Sequence, residues 1–347
     1  MSAVLVVAGL VILIVLGVDV LWTVIAAGSG AGPLTARLSA VAWRVALRFG
    51  RRPSGPRHAL LAVFGVAIVA GMLASWVAVT FGAWWLVASA SDGAVRVVET
   101  GAPASLLERA YFVGFNLFTL GTSTYTAGDG LWQLLPVVTG ANGLVAFTLG
   151  ISYLAPFASA VAERRQLAQY VLSLGARSEL IVTGAWTGEG FGSLPQHLVA
   201  LTPMVQLASE RHLTYPALAW FHNGREYAST SVSVVVLHDA LFLLRHGLAP
   251  GARPDPASTD PLQVAVDVLV ETVADSFVTR DASELPGPDL AVLRQAGVPT
   301  VDDESFAAAV ADHADRRKLL TALLADDGWT VEAWGRFRSR KTADGGG

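Results

Sequence analysis

Residues 110–125 read Ala-Tyr-Phe-Val-Gly-Phe-Asn-Leu-Phe-Thr-Leu-Gly-Thr-Ser-Thr-Tyr. The stretch begins apolar and aromatic, with Tyr111, Phe112, Phe115 and Phe118, and ends in threonine, glycine and serine. Long apolar runs flank it on both sides. One helical span takes about 20 residues, so this segment is too short to cross a bilayer and return as two helices. It predicts a re-entrant loop: a short helix enters the membrane and extended backbone comes back out. Non-helical backbone at membrane depth is tolerated only where protein packs it or it lines a wet cavity. The layout therefore points to a pore.

The flanks agree with that reading. Residues 59–91 carry no charge and form a span, with Trp84 and Trp85 as an aromatic belt near its outer end. Residues 91–105 make a short external loop. Residues 131–162 form the next span, from Trp132 outside to Glu163-Arg164-Arg165 inside. Residues 3–27 contain one charge, Asp19, and as a helix rise roughly 38 Å, enough to cross with some tilt. Small residues follow them, as in a secretory leader. However, no basic segment precedes them, and the apolar run exceeds the usual 7–15 residues. They read as a retained anchor. Asp19 must face the bundle interior or an interface, and a hydrogen bond to a neighbouring helix is preferred to an ion-pathway role. Residues 33–57 hold Arg37, Arg44, Arg48, Arg51, Arg52 and Arg57 with no acid, beside Leu38, Val41, Ala42, Val45 and Phe49 at helical spacing. This is an interfacial amphipathic pattern. Arginine-rich short loops stay cytoplasmic, which places the N-terminus outside.

Composition supports a membrane protein. Of 347 residues, 53% are hydrophobic and 15% charged, with mean hydropathy +0.50; soluble domains carry about 25% charge. Cysteine is absent, which excludes disulfides, thiolate metal sites and a cysteine nucleophile. Residues 1–165 carry 10 basic and 6 acidic residues, and the remainder carries 14 and 22. The chain is expected to divide into a membrane half and a soluble half.

Thr119-Leu120-Gly121-Thr122-Ser123, placed after a short apolar helix and before a span, resembles the Thr-Val-Gly-Tyr-Gly filter of potassium channels. Over about residues 59–165 the chain resembles the two-span pore module of bacterial potassium channel family proteins. Thr122 stands where that family has tyrosine, Ser123 where it has the second glycine, and Thr124 where it usually has aspartate. A rival register uses Ala127-Gly128-Asp129 but has no Thr-X-Gly ahead of it. The resemblance implies a homotetramer with potassium as the permeant monovalent cation. In it Phe118, Thr124 and Tyr125 support the filter, and Gly143 on the inner helix is a hinge. Pro156 lacks a backbone donor and can kink that helix. Glycine also permits close packing of membrane helices, and both readings of Gly143 stay open; for Gly140 and Gly150 packing is preferred.

A dehydrated cation needs replacement oxygens, which backbone carbonyls from several identical loops supply. Gly121 accepts φ > 0 cheaply. Ser123 does not, since left-handed backbone costs about 1–2 kcal/mol. The missing tyrosine and the serine put potassium selectivity in question while leaving a cation pore as the expectation.

Residues 166–347 contain no run long enough to span. Leu194, Leu198, Leu201, Val205 and Ala208, and again Val266, Leu269, Val270, Val273 and Phe277, recur at helical spacing. Helices are also expected over 287–296 and 304–326, and loops at Ala249–Pro261 and Asp281–Asp289. Gly188-Glu189-Gly190-Phe191-Gly192 does not match dinucleotide-binding spacing. The histidines His197, His212, His222, His238 and His246 lack metal-ligand spacing; His238-Asp239 is a candidate pH-sensing pair, and a plain pair on a helix surface is preferred. No nucleophile–base constellation is present.

These readings combine into an all-α membrane protein with three transmembrane helices, a re-entrant pore loop and a mostly helical cytosolic C-terminal domain. The divisions are 1–32, first span; 33–57, basic interfacial helix; 58–165, pore module; 166–335, cytosolic regulatory domain; and 336–347, disordered tail. The expected function is a homotetrameric cation channel, not an enzyme, in the cell membrane. It needs three further copies of itself and the bilayer, no cofactor and no nucleic acid. The alternative is a non-conducting membrane-anchored protein whose cytosolic domain binds a ligand or partner.

Overall fold

A computed structural model describes residues 2–25, 32–50, 57–121, 123–215, 217–218, 229–274 and 285–329. The expected tail, the side chains of Arg48, Arg51, Arg52 and Arg57, and Thr122 lie outside what is described. Twelve α-helices occur among these residues: α1 (Ala3–Ile25), α2 (Pro33–Gly50), α3 (Arg57–Ser89), α4 (Leu106–Leu117), α5 (Leu134–Leu174), α6 (Ser178–Ala185), α7 (Leu194–Thr214), α8 (Thr230–Phe242), α9 (Pro256–Ala274), α10 (Leu290–Gln295), α11 (Asp303–Asp312) and α12 (Ala314–Asp326). Two short strands, β1 (Val95–Val97) and β2 (Tyr125–Ala127), pair antiparallel. The chain divides into two compact units, one of residues 1–39 and 67–158, the other of residues 40–66 and 159–347.

Three helical segments in the described residues are long and apolar enough to cross a membrane: Ala3–Ile25, Val63–Ser89 and Gly130–Leu174. The three predicted spans are thus recovered, the last continuing past Glu163. Val4, Val7, Val11, Ile14 and Val18 of α1 are exposed, as suits a surface solvated by lipid. Helix α1 meets α3 at Gly9, where a Cβ would come within 2.7 Å of the Ala83 carbonyl; small residues allow this backbone approach. Trp84, Val87, Ala88, Val95, Phe112, Val113, Leu117 and Leu135 form the core of this unit.

Asp19 is buried, and its hydrogen bonds explain why a charge can sit in a span. Its carboxylate accepts from Leu34 N at 2.8 Å, Thr35 N at 3.2 Å and Thr35 Oγ1 at 2.5 Å. These amides open α2, so the carboxylate occupies the helix end that favours negative charge. Trp76 Nε1 donates to Thr35 Oγ1 at 3.3 Å, and Gly32 N donates to Thr23 Oγ1 at 2.9 Å. The expected structural hydrogen bond is present.

In the second unit, α8 is buried on every side, from Ser231 to Phe242. It carries no amphipathic pattern because α6, α9 and α12 all contact it. Helices α7 and α9 pack through the two series read from periodicity, with Leu198, Leu201, Val205, Val266 and Val270 fully buried. The expected loop at 249–261 is shorter, because α9 starts at Pro256, where a helix's first turn tolerates proline. Arg317 reaches beneath α8: Nη1 donates to Asp239 Oδ1 at 3.1 Å, Nε to Leu285 O at 3.2 Å and Nη2 to Pro286 O at 2.6 Å.

Candidate functional site

The site is built on α4. Ser105 caps this helix in a reciprocal box: its Oγ accepts from Glu108 N, and Glu108 Oε2 accepts from Ser105 N at 2.7 Å. Arg109, one residue on, is buried. It donates from Nε to Ala104 O at 2.8 Å and from Nη2 to Asp92 Oδ1 at 2.7 Å, tying the start of α4 to the segment after α3. Sequence reasoning missed Arg109. The capping pattern Ser-X-X-Glu was the available signal that the helix begins there.

The other end of α4 is set against α5. A Cβ on Gly143 would fall on the carbonyl of Leu117, and one on Gly140 would lie 3.3 Å from the Asn116 carbonyl. Gly143 is therefore required for this approach, independently of any bending. Phe118 contacts Phe147 with ring centroids 5.4 Å apart. Trp84 Nε1 donates to Asn142 Oδ1 at 3.0 Å beside them. Pro156 lies inside α5, which is helical on both sides of it.

The chain then leaves α4 by a Schellman turn. Thr119 N donates to Asn116 O at 3.0 Å and Leu120 N to Phe115 O at 2.8 Å. The turn puts Thr119 at φ +56°, a position that a β-branched residue rarely takes. Gly121 follows at φ +70°, the freedom expected of it. Among the described non-glycine residues only Thr119 has positive φ; of the two readings of Ser123, backbone strain or an outer carbonyl turned away, the strained one is not seen in the single chain. Phe118, Thr119, Leu120, Gly121, Ser123 and Thr124 are all exposed on the single chain. Val98 N donates to Thr124 O at 3.0 Å. Tyr125 OH donates to Glu108 Oε1 at 3.2 Å, and its ring lies 5.6 Å from Tyr111.

These contacts fix a path. Tyr125 stands beside the first turns of α4, and Phe118 stands at its end. A 12-residue helix is about 18 Å long, and the seven steps from Phe118 to Tyr125 reach at most about 25 Å. Tyr125 therefore lies back beside the first turns of α4, seven residues after Phe118 at its end, with Thr119 and Gly121 in left-handed turns on the way. Sequence reasoning did not find the pairing of Tyr125 with Val97.

An uncharacterized membrane protein of Bacillus subtilis (strain 168), YdjJ, is 30% identical to this chain over 319 residues, covering 92% of each. This chain belongs to the YdjJ family. It is a membrane protein, as the relative's description and the apolar helices both indicate. No protein-family model matches it, and no solved structure matches it. The resemblance to bacterial potassium channel family proteins is thereby corrected: the relative that covers 92% of both chains carries no such designation, and no channel family matches. Physically, the resemblance rested on a five-residue pattern with departures at Thr122 and Ser123. Its first residue, Thr119, is used here to close α4.

Proposed function

We propose that residues 106–124 form a re-entrant loop and that several copies of this chain, four in the simplest ring, gather their loops around a common axis to conduct monovalent cations. The observation that carries this reading is that α4 ends against Gly143 and Tyr125 stands back beside its first turns, while Phe118, Thr119, Leu120, Gly121, Ser123 and Thr124 between them are exposed on the single chain. Gly143 lies about 14 Å along α5 from Leu134, near half the depth of a hydrocarbon core of about 30 Å. Non-helical backbone there needs protein or water around it, and further copies would supply both. Helix α4 directs its C-terminal carbonyls, the partially negative end, into this region, which favours cations over anions. In this arrangement the carbonyls of Thr119, Leu120, Gly121, Thr122 and Ser123 replace water around the ion, and Phe118, Thr124 and Tyr125 hold the loop. Gly143 and Pro156 are the places on α5 where a gate would bend. The arginine-rich 33–57 segment supports a cytoplasmic second unit and an external N-terminus.

Cation flux from potassium-loaded liposomes holding the purified chain tests the proposal. No atom lies within 4 Å of a Cβ placed at Gly121, so Gly121→Ala changes backbone freedom without a clash. Gly121→Ala and Thr119→Ala are each expected to lower flux at least tenfold while the protein still purifies. Flux that is absent in the parent chain, or unchanged in both variants, overturns the proposal.

A further inference from the structure

The second unit holds a cavity of about 360 Å³ that the proposed pore does not use. Ligand sites start at about this size. One wall is a cluster of three rings: Phe242 lies 4.9 Å from His246 and 5.2 Å from His313, and the two imidazoles are 5.0 Å apart. His313 Nδ1 lies 2.9 Å from the carbonyl of Ala309; only the protonated nitrogen can bond there, which leaves Nε2 for a ligand. Two arginines complete the lining. Arg316 is neutralised by Asp267 at 3.2 Å and Glu271 at 2.9 Å. Among the described residues Arg245 is held only by Asp260, at 3.5 Å, with both side chains more than half exposed. Such surface pairs are weak and are readily exchanged for a better acceptor. Burial, then His313, Arg245 and Arg253, hold the His246 imidazole below its ordinary pKa, while Asp260, Asp267 and Glu271 pair with the two lining arginines. Phe242 and His246 are inclined by only 32°, and His313 meets them edge-on at 74° and 60°; this aromatic corner lies beside a weakly paired guanidinium.

We propose that this cavity binds a planar organic anion, its ring against Phe242 and His246 with His313 at its edge, and its carboxylate or phosphate on Arg245. The guanidinium offers paired donors to such a group, and the imidazole and phenyl faces stack on a ring. The inference is independent of conduction, so its failure leaves the pore reading untouched.

Equilibrium binding to the full chain in detergent tests it with two anions and their neutral counterparts: adenosine monophosphate against adenosine, and salicylate against salicylamide. At least one anion is expected to bind tenfold or more tightly than its counterpart. Arg245→Gln, a change at an exposed side chain, is expected to abolish that difference, and Arg245→Lys to keep part of it. His246→Ala is expected to weaken the anion and its counterpart together. If neither anion exceeds its counterpart, or if Arg245→Gln leaves the preference intact, the proposal is wrong.

Discussion

A threonine at φ +56° is a costly way to end a helix, by about 1–2 kcal/mol against glycine. Strain of this kind persists where surrounding structure imposes it, and it clusters at functional segments. At Thr119 the hydrogen bonds that close α4, from Thr119 N to Asn116 O and from Leu120 N to Phe115 O, impose it within the single chain. Elsewhere single residues carry their cost through charge. His212 is buried on α7, and burial, followed by the nearby Arg164 guanidinium, lowers its pKa to about 3. The unfolded chain binds a proton at about pH 6.5 that the native imidazole refuses, so stability falls as pH drops below that value. The slope is about 1.4 kcal/mol per pH unit, or about 2 kcal/mol by pH 5. Thermal unfolding in detergent is expected to show this acid sensitivity. His212→Gln is expected to flatten it between pH 6.5 and 4, even if it lowers stability at neutral pH. A lone histidine in the sequence gave no sign of this, because its burial depends on α7 packing against α9.

At the scale of elements, periodicity made much of the fold legible. The series 194–208 and the series from Val266 to Val273 became α7 and α9 with their apolar faces inward, Phe277 lying outside the described residues, because a helix with one buried face must repeat near 3.6 residues. Helix α8 escaped that rule, since a helix buried all round carries no contrast between faces. Its polar residues are satisfied by partners that the sequence places far away, as Arg317 does for Asp239 from 78 positions on. Removing that partner leaves a buried carboxylate with the His238 imidazole, at 3.5 Å, but without its guanidinium. Arg317→Met is therefore expected to cost about 3–5 kcal/mol, read as loss of the folded second unit by limited proteolysis. The contact of α4 with α5 is equally exacting. Gly143→Ala puts a methyl group into the Leu117 carbonyl and is expected to cost about 1–3 kcal/mol through overpacking. The lowered melting temperature of the purified protein would register it, while Gly150→Ala, whose Cβ meets only Leu73 Cδ2 at 3.8 Å, should be mild. The strand pairing of 125–127 with 95–97 had no comparable signal, being only three residues on each side.

For the whole molecule, hydropathy marked three spans in residues 1–165, and three helices long and apolar enough to cross a membrane are present among the described residues. What a short motif could not establish was ancestry: the family is one of membrane proteins, and five residues of a filter-like pattern do not make a channel family. Assembly leaves a direct test. The chain contains no cysteine, so Ser123→Cys introduces a single thiol on an exposed segment. If loops converge on one axis, mild oxidation in membranes is expected to yield disulfide-linked dimers on a non-reducing gel, whereas Val7→Cys on the exposed face of α1 should yield few. Equal yields at the two positions would argue against convergence at 119–123.

The carboxylate of Asp19 has a consequence for anyone shortening the protein. Because α1 brings the anion on which the first amides of α2 rest, a fragment starting near Gly32 would expose those donors to hydrocarbon or headgroups with nothing to receive them. The first membrane helix is thus part of the bundle's wiring, and a fragment without it should be handled as a different, poorly seated molecule.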